Sequence, residues 1–255
     1  MIFDTHAHYD DERFDPDREE LLAGMREHNV GTIINVGAAL AGCEASVALA
    51  ETYDFIYAAV GVHPDEVGSL NEDTFSRLRQ LAVSHPKVVA IGEIGLDYYW
   101  EEEPREVQKQ WFLRQMELAR ELSLPIAVHS REAARDTFDL ISGYGRDLPG
   151  VLHCYSYSPE MAQEYVKLGY YIGLGGVVTF KNAKKAKETA KVIPLERILL
   201  ETDCPYLAPT PFRGKRNCSV YIDYVAEEIA QLKGISKEEV IAVTEQNARK
   251  LFGLA

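Results

Sequence analysis

Two histidines, His6 and His8, end a short apolar run at the start of the sequence. Side chains alternate along a β-strand, so both imidazoles of a His-x-His pair leave the same face of the strand. Neutral imidazoles held close together are good ligands for one metal ion, whereas protonated imidazoles repel each other. Taken alone, the pair fits a metal site and a surface position near the terminus equally well. The metal site is favoured only if the rest of the sequence supplies further ligands at equivalent places.

Five more residues with the chemistry of metal ligands end later apolar runs: His63, Glu93, His129, His153 and Asp203. Glu93 lies among glycines and apolar residues, and a buried carboxylate needs a cation because burying it unpaired costs several kcal/mol. Each residue also has a structural alternative. Glu93 could form an internal salt bridge, the two later histidines could form hydrogen bonds in the core, and Asp203 could be a helix N-cap. His63 either binds substrate or anchors the turn at Pro64.

Short β-rich apolar runs alternate with amphipathic helical stretches along the whole sequence. Eight strands are predicted at residues 2–6, 32–36, 56–62, 88–94, 126–129, 151–153, 170–174 and 198–202. Helices are predicted at residues 17–27, 41–52, 72–84, 106–122, 133–142, 159–168, 183–192, 219–232 and 237–251. This alternation predicts an α/β protein with a parallel sheet closed as a (β/α)8 TIM barrel, one domain over residues 1–255. A doubly wound sheet fits less well, because no G-x-G-x-x-G follows the first run.

Reactive residues of such a barrel lie at the C-terminal ends of its strands. Five of the seven histidines fall at or just after predicted strand ends, and only His28 and His85 lie elsewhere. Mixed imidazole and carboxylate ligands suit zinc, manganese or iron and are compatible with magnesium. Four histidines with two carboxylates exceed the roughly three protein ligands of one catalytic zinc. They are enough for two metal ions that share a bridging carboxylate.

The composition is acidic, with 27 Lys and Arg against 40 Asp and Glu and a net charge of −13. This balance argues against broad, non-specific binding to nucleic acid, which needs an extended basic surface. The four cysteines show no C-x-x-C spacing, so we expect reduced thiols, with Cys154 and Cys204 directed away from the barrel lumen by strand alternation. Because no membrane helix or secretory signal is evident, we expect a cytoplasmic protein without a membrane partner.

Several ordered motifs together resemble the TatD family of metal-dependent hydrolases, a branch of the amidohydrolase superfamily. The matching segments are residues 4–8, 61–64, 92–98, 128–131, 153–156, 175–180, 200–209 and 213–217. The resemblance covers essentially the whole chain and implies a barrel of the metallo-dependent hydrolase type. One departure lies after Asn217, where Cys218 and Ser219 replace the acidic residue and proline frequent in this family. The departure puts the local loop geometry in question rather than the metal site.

The resemblance also implies two divalent ions, Mg, Mn or Zn. One ion would be held by His6, His8 and Asp203, and the other by His129 and His153, with Glu93 bridging the two ions. The implied activity is that of an exonuclease-type deoxyribonuclease, in which water activated by both metals cleaves a DNA phosphodiester bond. Asp203 would be both ligand and proton acceptor, and Glu93 would complete the catalytic pair.

Substrate contacts are expected from the loops after the seventh and eighth strands, a common phosphate-binding region of these barrels. Arg213 and Asn217 are candidate phosphate ligands, since arginine can bind phosphate through two hydrogen bonds. The lysines at positions 181, 184 and 185 fit either phosphate binding or a solvated surface. Glu201 shares a strand face with Asp203. It either orients a neighbouring residue that binds substrate or packs inside the barrel.

The expected partners are DNA or oligonucleotide ends, bound by a monomer or a weak homo-oligomer. The aromatic groups at residues 98–100 and 155–157 either stack nucleobases or pack under loops. A second hypothesis keeps the metal site and changes the substrate to an ester or amide such as D-aminoacyl-tRNA. A third hypothesis is a metal-binding interaction protein without turnover, but the large ligand set argues against it because a structural site needs no open coordination position.

Overall fold

The structure, a computed structural model, describes residues 1–100 and 102–254 of the chain. The strands in these ranges are Ile2–Ala7 (β1), Val30–Val36 (β2), Ile56–Val60 (β3), Val88–Asp97 (β4), Ile126–Arg131 (β5), Gly150–Leu152 (β6), Tyr171–Leu174 (β7) and Ile198–Leu200 (β8). They are hydrogen-bonded in chain order, and each pair in the ladder from β1 to β8 is parallel. The predicted (β/α)8 barrel is therefore confirmed.

Helices connect the strands and form an outer layer. The α-helices of the described residues are Arg18–Ala23 (α1), Leu40–Thr52 (α2), Glu72–Ser84 (α3), Arg105–Leu122 (α4), Ala134–Gly143 (α5), Pro159–Lys167 (α6), Lys184–Val192 (α7), Ile222–Lys233 (α8) and Lys237–Phe252 (α9). Short 3-10 helices lie at Glu12–Phe14, Met25–His28, Pro64–Ser69, Gly176–Thr179, Leu195–Arg197 and Ser219–Tyr221. Within the described ranges, every helix is too short or too polar to cross a membrane.

Several element bounds differ from the predicted ones. β4 continues to Asp97, whereas β6 and β8 end at Leu152 and Leu200, before the residues predicted to do chemistry. The helix predicted from residue 219 begins with a 3-10 turn and becomes α-helical at Ile222. The first predicted helix is interrupted at Gly24, which separates α1 from the 3-10 helix that follows.

The barrel closes between β8 and β1 through few backbone bonds. The described residues form one isolated bridge there, between Ala7 and Cys204. The Asp203 N–H donates to the His6 carbonyl at 2.9 Å. The buried Asp4 carboxylate adds two bonds across the same seam, accepting from the Thr202 N–H at 3.0 Å and the Thr202 hydroxyl at 2.6 Å. Side-chain hydrogen bonds therefore help to close the seam between β8 and β1, whereas the other neighbouring strands are joined by backbone hydrogen bonds.

The end of α9 plugs the N-terminal end of the barrel. Ala248, Leu251 and Phe252 are buried together with lumen residues such as Phe3 and Leu199. The rings of Phe3 and Phe252 stack with their centroids 6.1 Å apart. Apolar side chains therefore fill the N-terminal end of the barrel, and the polar residues gather at its opposite, C-terminal end.

Two buried glutamines on α4 hold neighbouring strand ends. Gln108 accepts from the Asp97 N–H and donates to the Asp97 carbonyl, both at 2.9 Å. Gln115 makes the same pair of bonds with Val62, at 2.8 and 3.1 Å. Seven residues apart, the two amides share one face of the helix and satisfy backbone groups that would otherwise be buried without partners. They fix the backbone just before His63 and at the end of β4.

Candidate metal centre

A cavity of about 760 Å³ opens at the C-terminal end of the barrel. Its volume lies within the range of roughly 300–1,000 Å³ typical of small-molecule sites. Five of the six predicted metal ligands line it, namely His8, Glu93, His129, His153 and Asp203. The sixth, His6, lies directly behind this surface with 1% of its area exposed. The structure thus brings all six predicted ligands together.

The first half of the centre joins β1 to the segment that follows β8. His8 Nε2 lies 3.2 Å from His6 Nε2 and 3.3 Å from Asp203 Oδ1. The other ring nitrogen of His8, Nδ1, faces the Val36 carbonyl at 2.8 Å and therefore holds its proton there. Nε2 is then the nitrogen that faces His6 and Asp203, and these three residues offer ligand atoms close enough together for one metal ion.

The second half lies on β5 and just after β6. His129 Nδ1 and His153 Nε2 are 3.3 Å apart, and both approach Oε1 of Glu93, at 2.8 and 2.6 Å. The remaining nitrogen of His129, Nε2, lies 2.9 Å from Oδ2 of Asp97. A carboxylate behind a histidine ring is a common support for metal-binding imidazoles, because it fixes the orientation of the ring.

Glu93 lies between the two halves. Its Oε1 faces His129 and His153, whereas its Oε2 is 3.5 Å from His6 Nε2 and 4.0 Å from His8 Nε2. Each carboxylate oxygen therefore faces a different pair of histidines. This arrangement is the one required of a carboxylate that bridges two ions.

Glycines allow β4 to bring Glu93 this close to β5. A side chain at Gly92 would place its Cβ 2.6 Å from the Cβ of Ala127. Gly95 has a φ of +150°, and a Cβ there would overlap the His129 carbonyl oxygen. Both positions therefore need glycine, because the two backbones approach too closely for any side chain.

Burial and neighbouring charges separate the acid–base properties of the imidazoles. Burial and the adjacent His153 lower the pKa of His6 to about 4, and burial with the adjacent His129 lowers that of His63 to about 3. Burial also disfavours protonation of His8 and His129, but neighbouring carboxylates outweigh it and raise both pKa values to about 9. The same nitrogens would bind a proton or a metal ion, so the carboxylates favour a cation at each ring.

The donor set fits divalent metal ions. Burial acts to raise the pKa values of Glu93 and Asp203, but the surrounding histidines outweigh burial and lower both, so the two groups are ionised. Within the described part of the chain, their ion pairs are all with histidines. The internal salt bridge considered for Glu93 would need a lysine or arginine, and the described contacts contain none. Buried carboxylates surrounded by imidazoles match the ligand chemistry of zinc and manganese.

His63 anchors the turn at Pro64, one of the two roles considered for it, and its ring also lines the cavity. Its Nδ1 accepts from the Asp65 N–H at 3.2 Å, so the ring caps the 3-10 helix Pro64–Ser69. Its Nε2 lies 3.9 Å from Oε1 of Glu93, and the ring lines the cavity. Because Nδ1 acts as an acceptor, the proton of this neutral ring is on Nε2, which faces the cavity.

Glu201 is buried behind His153. Its Oε1 accepts from the Cys154 N–H and lies 3.9 Å from His153 Nδ1. Burial raises the pKa of Glu201 to about 8. Glu201 therefore supports the segment after β6. It is not among the described residues that line the cavity.

Two predicted substrate contacts lie outside the described cavity lining. Arg213 is exposed, with its guanidinium 4.4 Å from the centre of the Phe180 ring. Asn217 is buried and donates to the Thr202 carbonyl at 2.9 Å, while its backbone N–H donates to the Pro205 carbonyl at 3.0 Å. Asn217 therefore supports the loop after β8, and Arg213 lies on the outer surface.

The prediction for Cys154 was wrong, because this residue lines the cavity. Strand alternation does not apply to it, since β6 ends at Leu152 and Cys154 has a φ of +46°. Cys204 is buried in the core as expected, and all four cysteines are free thiols.

Among the polar residues of the cavity that were given no role from the sequence, three matter most for the centre and its rim: Asp65, Asp97 and Arg131. A signal for two of them was present. Asp97 is an acidic residue at the end of an apolar strand, and Arg131 follows His129 at the alternation distance of a strand. Asp65 had no comparable signal, because its position depends on the turn that His63 caps.

Comparisons with known proteins identify the family of this chain. The family model described as TatD related DNase matches residues 3–253. The uncharacterized metal-dependent hydrolase YabD of Bacillus subtilis is 45% identical over 253 residues, with 99% of each chain covered. The 3′-5′ ssDNA/RNA exonuclease TatD of Cronobacter sakazakii is 34% identical over 258 residues, with 98% of this chain and 97% of that protein covered.

A solved structure gives the same result for the fold. The crystal structure of YJJV, a TATD homolog from Escherichia coli, superposes with a TM-score of 0.93 at 31% identity, covering 100% of this chain and 98% of that chain. Family match, relatives and fold agree over nearly the whole length of the sequence. The chain belongs to the TatD family of metal-dependent hydrolases.

Proposed function

We propose that this protein is a nuclease that hydrolyses phosphodiester bonds at the 3′ ends of single-stranded DNA or RNA. The main supporting observation is the convergence of four imidazoles and two ionised carboxylates at one polar cavity. The Cronobacter relative, named as a 3′-5′ ssDNA/RNA exonuclease, supports the choice of substrate and direction.

The proposed centre holds two divalent ions. His6, His8 and Asp203 would bind one ion, and His129 with His153 the other, because these sets face separate oxygens of Glu93. When bound, such ions activate water for attack and stabilise the negative charge that develops on the phosphate oxygens.

The residues of the chain have separate tasks in this proposal. Asp203 is ionised and 18% exposed, so its carboxylate can accept the proton of the attacking water. His63 is neutral and carries its proton on Nε2, from which it can donate to a phosphate oxygen. Glu93 keeps the two histidine pairs at a fixed separation, which aligns attack with the departing oxygen.

The cavity and its rim favour a chain end over duplex. Its volume of about 760 Å³ is that of a small-molecule site and suits one or two nucleotides. Asp10, Asp11, Asp65 and Glu66 line the same opening and would repel the phosphates of a second strand. The net charge of −13 also disfavours retention of long duplex.

The proposal is tested with oligonucleotides labelled at the 5′ end and supplied with Mg²⁺, Mn²⁺ or Zn²⁺. We expect stepwise shortening of a single strand from its 3′ end, slow digestion of a blunt duplex and no cleavage of circular single-stranded DNA. Glu93→Gln is the inactive control. Equal cleavage of circular and linear DNA would contradict the preference for ends.

D-aminoacyl-tRNA is assayed beside the oligonucleotides under the same conditions. Deacylation of this substrate with intact oligonucleotides would assign the site to ester hydrolysis instead. Turnover of neither substrate by protein shown to contain metal would favour the interaction protein considered from the sequence.

A further inference from the structure

Two large aromatic side chains remain exposed beside the cavity. Tyr99 and Trp100 follow β4 and have 53% and 57% of their surface exposed. Trp100 lines the cavity together with Arg131. This exposure excludes packing under a loop for these two residues. Tyr155, in the aromatic group after β6, is by contrast 5% exposed and packs in the core.

Arg131 and the two rings form one compact cluster, which we name the aromatic platform. The Arg131 guanidinium lies 3.8 Å from the centre of the Tyr99 ring and 5.4 Å from that of Trp100. The rings themselves are 4.9 Å apart and nearly perpendicular, at 88°. Among the described residues, Arg131 has no ion pair with a carboxylate, and its guanidinium contacts are with these two rings. The guanidinium therefore lies over the rings with its face, while the N–H groups at its edge can still donate to a phosphate.

The backbone that holds the platform is fixed by Asp97. Its Oδ1 accepts from the Tyr99 N–H at 2.8 Å and from the Trp100 N–H at 3.3 Å. The Tyr98 N–H donates to the Arg131 carbonyl at 2.9 Å, which joins the segment to the end of β5. These hydrogen bonds fix the backbone that carries the platform at the mouth of the barrel.

The same carboxylate connects the platform to the metal centre. Oδ2 of Asp97 lies 2.9 Å from Nε2 of His129, while Oδ1 holds the platform backbone. One side chain therefore sets the position of the aromatic rings relative to a proposed metal ligand. A group resting on the rings would be held at a constant offset from the reacting phosphate.

We infer that the aromatic platform binds, by stacking, a nucleobase next to the phosphodiester that is cleaved. This inference rests on the proposed nuclease function and adds a binding site to it. Every base has a π-face, so stacking tolerates all sequences. A base inside a duplex is already paired and stacked, so the platform favours an unpaired end. Arg131 would contact the phosphate next to the rings, and its positive charge would offset the acidic residues that also line the cavity.

The test compares natural oligonucleotides with matched ones lacking a base in either nucleotide that flanks the terminal phosphodiester. We expect Trp100→Ala to lower kcat/KM for the natural strand between about 5-fold and 150-fold, mainly through KM, because stacking on an aromatic residue contributes this much to base binding. One of the two strands without a base lacks the base that stacks on the platform. For that strand, kcat/KM of the variant and of the wild type should differ less than about twofold. Trp100→Phe should restore most of the loss, because phenylalanine keeps a stacking surface.

Tyr144→Ala is the matched control, since Tyr144 is 58% exposed and follows α5 at the opposite end of the barrel. An equal loss on both strands with Trp100→Ala, or no loss on either, would overturn the inference. If the wild type cleaves no oligonucleotide, the proposed function fails. Quenching of Trp100 fluorescence by a phosphorothioate oligonucleotide then still tests the platform, because Trp111 is 9% exposed and Trp100→Phe removes the exposed fluorophore. Absence of quenching overturns the inference independently.

Discussion

Oδ2 of Asp97 lies 2.9 Å from Nε2 of His129, on the side of the imidazole opposite to Glu93. Nδ1 of the same ring is 2.8 Å from Glu93 Oε1, so His129 is held between two carboxylates. The pKa of His129 is raised to about 9 because these carboxylates outweigh the effect of burial. Asp97 therefore positions a ring that the sequence predicts to be a metal ligand.

We expect Asp97→Asn to weaken metal binding by about 10- to 100-fold, the usual effect of removing a carboxylate behind a metal-binding histidine. The asparagine amide can accept from either His129 or the Tyr99 N–H, but not from both. Isothermal titration of metal-free protein measures the change. Asp147→Asn, in an exposed pair with Arg120, is the control. Affinity equal to that of the wild type would show that Asp97 does not support His129.

Glu93→Gln should reduce both the number of bound metals and the rate of hydrolysis. The neutral amide cannot neutralise two cations, so we expect fewer than two ions per chain by elemental analysis. The rate should fall on the order of 10²–10³-fold, as when one group that stabilises charge is removed. Circular dichroism checks that the fold is retained. A variant that keeps two ions and full activity would rule out the bridging role.

Metal removal should lower thermal stability, because the folded state alone assembles all six ligands. At a metal concentration of 100 times Kd, binding contributes about 2.7 kcal/mol. For a chain of this size that corresponds to a shift in Tm of roughly 5–10 °C. Thermal melts followed by circular dichroism, with chelator and with added metal, measure the difference. Identical melting curves would contradict the proposed centre.

Thr202→Val tests the seam between β8 and β1. The substitution keeps the shape of the side chain but removes the hydroxyl that donates to Asp4 at 2.6 Å and accepts from the Cys204 N–H at 3.2 Å. We expect a loss of about 1–3 kcal/mol in the free energy of unfolding, measured by urea denaturation. Thr52→Val is the control, since its hydroxyl bonds within the exposed last turn of α2. Equal losses for the two variants would refute a special role of the seam.

Cys43 should resist thiol reagents in the folded protein. Burial raises its pKa to about 12, so near pH 8 only about one thiol in ten thousand is ionised. Raising the pH toward 12 increases the thiolate fraction and should increase labelling. Peptide mapping after labelling in native buffer and in urea measures the protection of this residue. Labelling of Cys43 in native buffer as fast as in urea would contradict its burial.

Much of the fold followed from the alternation of short apolar runs with amphipathic stretches. The helix predicted at residues 72–84 has the same bounds as α3, because its periodic pattern and its N-terminal cap are both local. The strand ends were less predictable. β6 and β8 stop before His153 and Asp203, and the residues beyond them adopt conformations, such as φ of +57° at Asp203, that strand alternation cannot anticipate.

The convergence of the six candidate ligands was predictable because imidazole and carboxylate groups at strand ends stand out in apolar surroundings. Their supports were not. Gln108 and Gln115 look like ordinary polar positions of an amphipathic helix, and their bonds to Asp97 and Val62 depend on tertiary packing. Asn217 was predicted to contact substrate, but it supports a loop from below. A polar residue near a motif can equally well satisfy buried backbone groups, and sequence alone does not separate these cases.

The hydrogen bond from the Asp203 N–H to the His6 carbonyl joins residues almost two hundred positions apart. During synthesis the N-terminal histidines leave the ribosome first, and their partner on the far side of the seam follows only after most of the barrel has emerged. A nascent or truncated chain therefore lacks a complete centre. The proposed nuclease would therefore become active only after the segment that carries Asp203 has emerged and has joined β1 at the seam.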